Sequence, residues 1–197
     1  ILDILNDIHW KIDGTLSYRR SCRSAICGSC AVKVNGQNTL ACETPLYRFK
    51  GKRLKIEPLP GFQIIKDLVV DLEPFFEKHR AVRPYLINDE ESPEEERLQE
   101  SKTQEFFEPA LRCILCASCT ASCPITRTNP DYVGPAALLR AFRYIFDSRD
   151  TATDERLEKI DDNNGVWGCK SLWWCTDVCP KGIPITKCLA QIKRVIK

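Results

Sequence analysis

Apolar residues at helical spacing mark both ends of the chain and one run between them. Residues 1–10 and 185–197 both repeat apolar positions every three or four residues, which predicts a short helix at each end. Gly134-Pro135 opens a further run whose apolar residues share one helical face: Leu138, Leu139, Phe142, Ile145 and Phe146. Thr151 and Asp154 indicate the start of another small helix. The second half of the chain is therefore predicted to be mainly helical.

The first half shows the shorter alternation that is typical of strands. Residues 31–34 and 38–42 read as strands on either side of Asn35-Gly36, a dipeptide that favours a tight hairpin turn. Residues 53–57 also alternate and predict another strand. Residues 66–80 instead favour a helix, with Pro74 as a predicted interruption.

Residues 89–100 form an acidic segment between the two halves, with seven carboxylates. Ser92-Pro93 followed by glutamates has the form of a helix start, so we expect a solvated linker helix there. The sequence thus predicts an α+β chain in three parts: a domain over residues 1–75, an acidic linker or helix over 76–105, and a helical domain over 106–197.

The overall charge identifies no particular partner. Lys and Arg total 29 against 27 Asp and Glu, and no basic stretch is interleaved with aromatic residues, so we expect no nucleic-acid partner. No apolar run approaches the length of a membrane span, and no secretory segment opens the chain. Because the sequence begins at Ile1 rather than Met, we expect it to have been clipped.

The twelve cysteines carry most of the functional information. A disulfide framework and structural zinc sites are the two ordinary explanations for so many cysteines. Both must account for three tight groups with unequal internal spacings. The two histidines, His9 and His79, lie outside these groups, which argues against mixed Cys/His zinc sites.

The first group has the spacing of plant-type 2Fe–2S proteins. Gly28 and Ser29 keep its loop small, so that backbone amides can approach the sulfur atoms of a two-iron cluster. A zinc site stays open as the alternative at these positions. The predicted 2Fe–2S ligands are Cys22, Cys27, Cys30 and Cys42.

The second and third groups, CILCASCTASCP and CKSLWWCTDVCP, align without a gap. In two-cluster bacterial ferredoxins the fourth cysteine of each run binds the cluster of the other run. That rule predicts a 4Fe–4S site at Cys113, Cys116, Cys119 and Cys179. It assigns the other site to Cys123, Cys169 and Cys175.

Leu172 stands where the second of these two sites needs its fourth thiolate. A leucine side chain cannot bind iron, so we expect a 3Fe–4S cluster there, with a 4Fe cluster holding one labile iron as the alternative. The retained cysteines and Pro180 argue against a merely degenerate copy. Cys188 lies on the apolar stripe of the last predicted helix, where we expect structural burial rather than ligation.

Together these groups resemble the iron–sulfur subunit of succinate dehydrogenase and fumarate reductase, the respiratory complex II family. The resemblance extends over the blocks LSYRRSCRSAICGSC, VNGQNTLAC, CILCASCTASCP, YVGPAALLRAFRYIFDSRD and CPKGIP. It implies an N-terminal β-grasp domain of the plant-type ferredoxin kind and a C-terminal helical domain like bacterial ferredoxins. Because the sequence starts at the first helix, we expect the first hairpin of the β-grasp domain to be missing.

The resemblance also implies the same cluster ligands and a function as an electron relay. Single electrons would pass from FAD in a partner flavoprotein through 2Fe–2S, 4Fe–4S and 3Fe–4S to a quinone at a membrane anchor, which has haem b in some members. The chain would lie peripherally on the cytoplasmic or matrix face of an energy-transducing membrane. It has no dinucleotide fingerprint and no catalytic triad, so substrate chemistry is expected in the flavoprotein.

The resemblance is weaker at the quinone site. Lys193 matches a lysine that the family places near quinone, and Pro124, Trp167 and Lys170 are further candidates. Many ubiquinone-reducing members have aromatic residues soon after the proline of the second group and a histidine just after the first cysteine of the third. This chain has CPITRTNPDY at the first place and Lys170 at the second. Menaquinone is therefore the favoured quinone.

Three other classes of protein stay open at this point. One is a freestanding soluble multi-cluster ferredoxin, and the nearest enzyme alternative is a subunit of another quinone-linked dehydrogenase. A zinc or disulfide-stapled binding module would be colourless, which distinguishes it from both.

Overall fold

The computed structural model describes residues 1–49, 51 and 53–196, and it confirms the α+β class. Helix α1 (Leu2–Lys11) begins the chain and buries Leu2 and Leu5, while Asp3 and Asp7 on its other face stay exposed. The apolar positions that predicted this helix are thus the ones that attach it to the core.

Strands β1 (Ala31–Val34) and β2 (Gln37–Leu40) form the predicted hairpin. Asn35 and Gly36 have φ angles of 47° and 90°, the left-handed conformations that a two-residue turn requires. Strand β3 (Ile56–Glu57) pairs with β1 on its other side, giving the strand order β2-β1-β3. This strand keeps only the last two residues of the predicted 53–57 segment.

The helix predicted over 66–80 is wrong in its first half. Residues 64–70 instead form a second hairpin, in which β4 (Ile64–Lys66) pairs with β5 (Val69–Val70). Asp67 makes the turn with a φ of 48°, and its carboxylate accepts a hydrogen bond from the backbone amide of Ser17. Helix α2 (Glu73–Ala81) follows, and Pro74 lies in its first turn rather than interrupting it, because a first-turn proline loses no helical hydrogen bond.

The linker helix predicted from Ser92 is also wrong. Residues 89–100 contain no helix, and the next helix, α3, spans Ser101–Leu111. Leu98 is 87% exposed, so a helix here would have no apolar face to bury and would be marginal in water. Arg97 instead folds the segment back by donating to the carboxylate and the carbonyl of Glu90 and to the carbonyl of Glu91.

The second half of the chain is helical, as predicted. After the short helices α4 (Ser118–Ser122) and α5 (Pro124–Thr128), helix α6 (Pro135–Ile145) forms its centre and has eight buried residues. Helix α7 (Thr153–Ile160), a short α8 (Trp174–Asp177) and α9 (Ile185–Ile196) complete the order. Helices α3, α7 and α9 all pack on α6. Lys197, the last residue of the predicted final helix, lies outside the described residues.

Polar contacts attach the linker to the end of α6. Asp147 is buried and accepts a hydrogen bond of 2.7 Å from the side-chain amide of Gln99, and Arg143 and Arg149 pair with the same carboxylate at 2.5 and 2.9 Å. Asn88 donates to the carbonyl of Arg149 at 2.7 Å. The acidic segment is therefore held at both ends although it has no secondary structure of its own.

Candidate metal centres

The cysteine loop of residues 22–30 curls so that its backbone amides face sulfur atoms. The Sγ atom of Cys22 accepts N–H groups from Ser24, Ile26 and Cys27 at 3.3–3.4 Å. The amide of Ala25 donates to Cys42 Sγ at 3.3 Å. Successive inward amides of this kind form a concave site that favours negative charge, as a thiolate-bound cluster requires.

The same loop gives its thiols different acidities. The Ser29 hydroxyl lies 3.2 Å from Cys27 Sγ, and this hydrogen bond is the main cause that lowers the pKa of Cys27 to about 6. Burial raises the pKa of Cys30 to about 11. Cys27 is exposed at the protein surface and Cys30 is buried, so one thiolate is available at neutral pH before any metal arrives.

A first cavity lies in the helical half, with an empty volume of about 340 Å³ that includes space open to solvent. Ala136 and Leu139 of α6 and Ile183 give it an apolar wall. The structure brings together around it the four predicted 4Fe–4S ligands: Cys113, Cys116, Cys119 and Cys179. Burial raises the pKa of Cys113, Cys116 and Cys119, so these thiols favour the protonated form until a cation binds them.

A second cavity of similar empty volume, about 340 Å³, is lined by Leu172 and by the three predicted 3Fe–4S ligands, Cys123, Cys169 and Cys175. Leu172 is 47% exposed, so the wall that lacks a thiol is also the wall nearest to solvent. Trp173 and Trp174 extend this wall and are exposed to a similar degree.

The two runs share their backbone conformation as well as their spacing. Leu115 and Ala117 are left-handed in the first run, with φ of 54° and 62°. Ser171 and Trp173 occupy the matching places in the second run, with φ of 55° and 65°. Non-glycine residues rarely adopt the left-handed conformation, so four of them at matching places indicate that the two loops have the same backbone shape. Leu172 therefore stands in an intact ligand loop.

The donor set fits iron–sulfur clusters better than the two ordinary alternatives. The twelve cysteines all lie in the described part of the chain and none forms a disulfide, so the disulfide framework is wrong. Across residues 1–49, 51 and 53–196, no three His, Cys, Asp or Glu side chains converge on the position of one metal ion, which counts against zinc. Cys188 is buried on α9 and lines neither cavity, and burial raises its pKa to about 11.

Two of the four quinone candidates line the second cavity, and the other two lie beside one of its cysteines. Pro124 and Lys170 line the cavity. Lys193 donates to the carbonyl of Cys169 at 2.8 Å, and its ammonium lies 5.6 Å from the centre of the Trp167 ring. The Trp167 indole N–H in turn donates to Asp161 at 2.6 Å. These contacts hold α9 against the wall of the second cavity.

Sequence reasoning missed Tyr132, which is 1% exposed and lines the second cavity. Burial raises its pKa well above the ordinary value for a phenol, and the neighbouring cysteines act in the same direction. The hydroxyl therefore stays protonated and can donate to a sulfur atom. The position of the Tyr132 ring depends on packing against Gly168, where an added Cβ would lie 2.7 Å from the ring. No local motif in the sequence indicates that contact.

Sequence reasoning also missed the contact between the two halves. A Cβ added to Gly28 would lie 2.7 Å from the carbonyl oxygen of Ile114 and 2.9 Å from Cα of Cys116. The loop of the first cysteine group therefore touches the loop of the second group backbone to backbone. Asn38 adds hydrogen bonds to the carbonyl of Ser118 and to the Ser122 hydroxyl, at 3.2 and 2.7 Å.

No helix in the described residues is both long enough and apolar enough to cross a bilayer.

Comparisons with known proteins agree with this arrangement. Residues 1–77 match a family described as a 2Fe-2S iron-sulfur cluster binding domain, and residues 109–183 match a 4Fe-4S dicluster domain. The succinate dehydrogenase iron-sulfur subunit of Paracoccus denitrificans is 44% identical over 197 residues, which are 100% of this chain and 76% of that protein. A chain of the Mycobacterium smegmatis Sdh1 complex in the apo form superposes with a TM-score of 0.91 at 28% identity, over 100% of this chain and 83% of that one.

Proposed function

This chain belongs to the family of succinate dehydrogenase iron–sulfur subunits, and on that basis we propose how its residues hold three redox centres. Its function is iron–sulfur electron transfer within a membrane-associated oxidoreductase complex of other subunits, the respiratory complex II. The resemblance seen in the cysteine spacing is thereby confirmed. Membership in this family also favours a complex subunit over a freestanding ferredoxin.

The proposed ligands follow the sets that the structure brings together. Bound iron–sulfur clusters would supply one-electron oxidation and reduction at three places. The loop of residues 22–30 and Cys42 hold the 2Fe–2S cluster, with backbone amides facing two of the sulfur atoms. The first cavity holds 4Fe–4S through Cys113, Cys116, Cys119 and Cys179. The second holds 3Fe–4S through Cys123, Cys169 and Cys175.

One observation carries this proposal: Leu172 lines the second cavity in a loop whose backbone matches that of Cys116 in the first. A loop of ligand shape with a hydrocarbon at the ligand position supports a cluster with three protein-bound irons. The loss of one thiolate also removes negative charge, which raises the reduction potential. The second centre is therefore suited to be the last acceptor before the quinone.

The contact at Gly28 supports the order of the proposed centres along the chain. It brings the 2Fe–2S loop against the 4Fe–4S loop, and the two helical cavities are built from interleaved cysteine runs. This supports the order FAD, 2Fe–2S, 4Fe–4S, 3Fe–4S and quinone, with FAD in a partner flavoprotein. The chain itself contributes shielded cavities and short separations between neighbouring sites.

The proposed quinone contacts are Lys193, Pro124, Trp167 and Lys170 around the second cavity. A membrane anchor, with or without haem b, would cover this side, and the exposed apolar wall of Leu172 and the two tryptophans supports that orientation. The quinone favoured by the sequence is menaquinone. The complex would then place this chain on the cytoplasmic or matrix face of the membrane.

Electron paramagnetic resonance of the purified complex tests the proposal. The oxidised sample should give the near-isotropic signal of a three-iron centre, and reduction should add the signals of the other two centres. A silent oxidised sample with a fully occupied four-iron cluster at the second cavity would contradict the assignment, because a ligand beyond Leu172 would then exist.

A further inference from the structure

Arg140 comes directly after a residue of α6 that lines the first cavity. Helix α6 lines that cavity with Ala136 and Leu139, and the next residue, Arg140, is half-buried behind it. One terminal nitrogen of its guanidinium donates to the carbonyl oxygen of Cys113 at 3.0 Å. A positive charge is thus fixed against the backbone of a predicted cluster ligand.

Among the described residues, Arg140 has no carboxylate partner. In the part of the chain that the structure describes, no carboxylate forms a salt bridge with Arg140. Its Nε atom is buried and has no hydrogen-bond partner there. The other arginines near the end of α6, Arg143 and Arg149, are instead neutralised by Asp147. A partly buried cation without a carboxylate partner is stabilised when another anion lies close by.

His79, whose pKa responds to the charge of Arg140, does not supply that anion. His79 also has a buried nitrogen, Nε2, without a partner among the described residues. Burial lowers its pKa, and the charges of Arg140 and Arg80 lower it further, so the imidazole is neutral at pH 7. The hydrogen bond from Arg140 instead reaches the carbonyl oxygen of Cys113, beside the cavity that the four cysteines line. An anion held in that cavity would therefore lie on the side of Cys113.

We propose that Arg140 is a positioning residue that holds Cys113 and raises the reduction potential of the centre in the first cavity. This inference rests on the proposed function, which places a 4Fe–4S cluster there. A cluster with four thiolates becomes more negative when it accepts an electron, so a fixed positive charge stabilises the reduced form. Lys181 also lines this cavity and adds to the effect, but Arg140 is the cation bound to a ligand backbone.

Potentiometric titration of the assembled complex, read by electron paramagnetic resonance, tests this role. Arg140→Gln removes the charge and keeps a hydrogen-bond donor. At a fixed potential it should lower the ratio of reduced to oxidised 4Fe–4S centre about tenfold, which for one electron is a shift of about 59 mV. Arg140→Lys keeps the charge and should restore most of the potential.

Lys102→Gln is the matched control, because it removes one exposed positive charge from α3. It should shift no centre measurably, since solvent and salt screen surface charges. An unchanged 4Fe–4S potential in Arg140→Gln, an equal shift of all three centres, or an equal shift in Arg140→Lys would each overturn the role of Arg140. Absence of the 4Fe–4S signal from the unsubstituted complex would instead overturn the cluster assignment itself, and this role with it.

Discussion

At the scale of single residues, one side chain separates two nearly identical loops. Leu172 and Cys116 follow Ser171 and Leu115, which have φ of 55° and 54°, so the backbone presents each side chain in the same way. The difference between the two centres is then chemical rather than conformational. This makes the number of irons a property that a single substitution can change.

Leu172→Cys should complete the second site with a fourth thiolate. We expect the near-isotropic signal of the oxidised complex to disappear and a four-iron centre to replace it. The added negative charge should lower the potential of that centre, on the order of 100 mV. Leu172→Val is the matched control and should keep the three-iron signal. Persistence of that signal in Leu172→Cys would show that the side chain does not face the cluster.

Lys193→Ala tests the quinone candidates at the same cavity. The ammonium contacts the carbonyl of Cys169 and the Trp167 ring, so its loss should disturb the cavity wall next to the proposed quinone. Quinone reduction should slow roughly 10- to 100-fold, while succinate oxidation by an artificial dye stays intact. Lys187→Ala removes an exposed lysine from the same helix and should affect neither rate. Equal loss of both activities in Lys193→Ala would count against a quinone role.

At the scale of elements, the acidic linker depends on the end of α6 for its position. Asp147 joins Gln99 of the linker to Arg143 and Arg149, and its carboxylate is almost fully buried. Burial alone would raise the pKa of Asp147, but hydrogen bonds from the two arginines hold it well below the usual range. The carboxylate therefore stabilises the folded chain in its ionised form.

Asp147→Asn should destabilise the protein by about 3–5 kcal/mol, because two partly buried arginines lose their anion. For a chain of this size the melting temperature should fall by roughly 10 °C in a thermal scan of the intact complex. The stabilisation is complete above the unfolded pKa, about 3.9, and is lost as the pH falls toward the lower folded pKa. The difference in melting temperature between the unsubstituted protein and Asp147→Asn should thus become smaller below about pH 4.

Glu155→Gln is the control for Asp147→Asn. Glu155 pairs with Arg83 at the surface, and its side chain is 68% exposed. Such pairs contribute about 0–1 kcal/mol, so the melting temperature should hardly change. If both variants melted alike, the buried cluster at Asp147 would not be what holds the linker.

Local patterns predicted the elements whose cause is local and failed where distant contacts decide. The Asn35-Gly36 hairpin and helix α6 follow from turn chemistry and apolar spacing within a few residues. Ser92 has the sequence of a helix start, but Arg97 folds the segment back and nothing apolar is available to bury. Cysteine spacing predicted both cavities because a cluster constrains its ligands locally, whereas Tyr132 enters one of them through the packing of Gly168.

At the scale of the whole molecule, the two halves meet where the first two proposed centres would be held. Gly28, with φ of 72°, lets the first cysteine loop lie directly on Ile114 and Cys116. Any side chain there must push two backbones apart, because neither is a flexible group that can move aside. Gly28 is therefore a position where a side chain would directly change the distance between the two cysteine loops.

Gly28→Ala should lower the free energy of unfolding by about 1–3 kcal/mol beyond the cost of holding an alanine in the left-handed conformation. Gly36→Ala separates the two effects, because Gly36 has a φ of 90° and a Cβ there would meet nothing within 4 Å. In rapid-freeze experiments with succinate, the 2Fe–2S centre of Gly28→Ala should still be reduced at the normal rate. Reduction of the other two centres should slow severalfold if the loops separate by an ångström, because electron transfer weakens with distance. Equal kinetics in both variants would show that the contact is not on the electron path.

The exchange of cysteines between the two runs governs how the protein can be made. Cys179 completes the cavity of the first run, and Cys123 belongs to the cavity of the second. A nascent chain that stops before residue 175 lacks a proposed ligand of each cavity, so both helical centres would be loaded after most of the chain has been made. A chain cut anywhere between 124 and 168 would yield two fragments, and neither of them could assemble a helical centre alone.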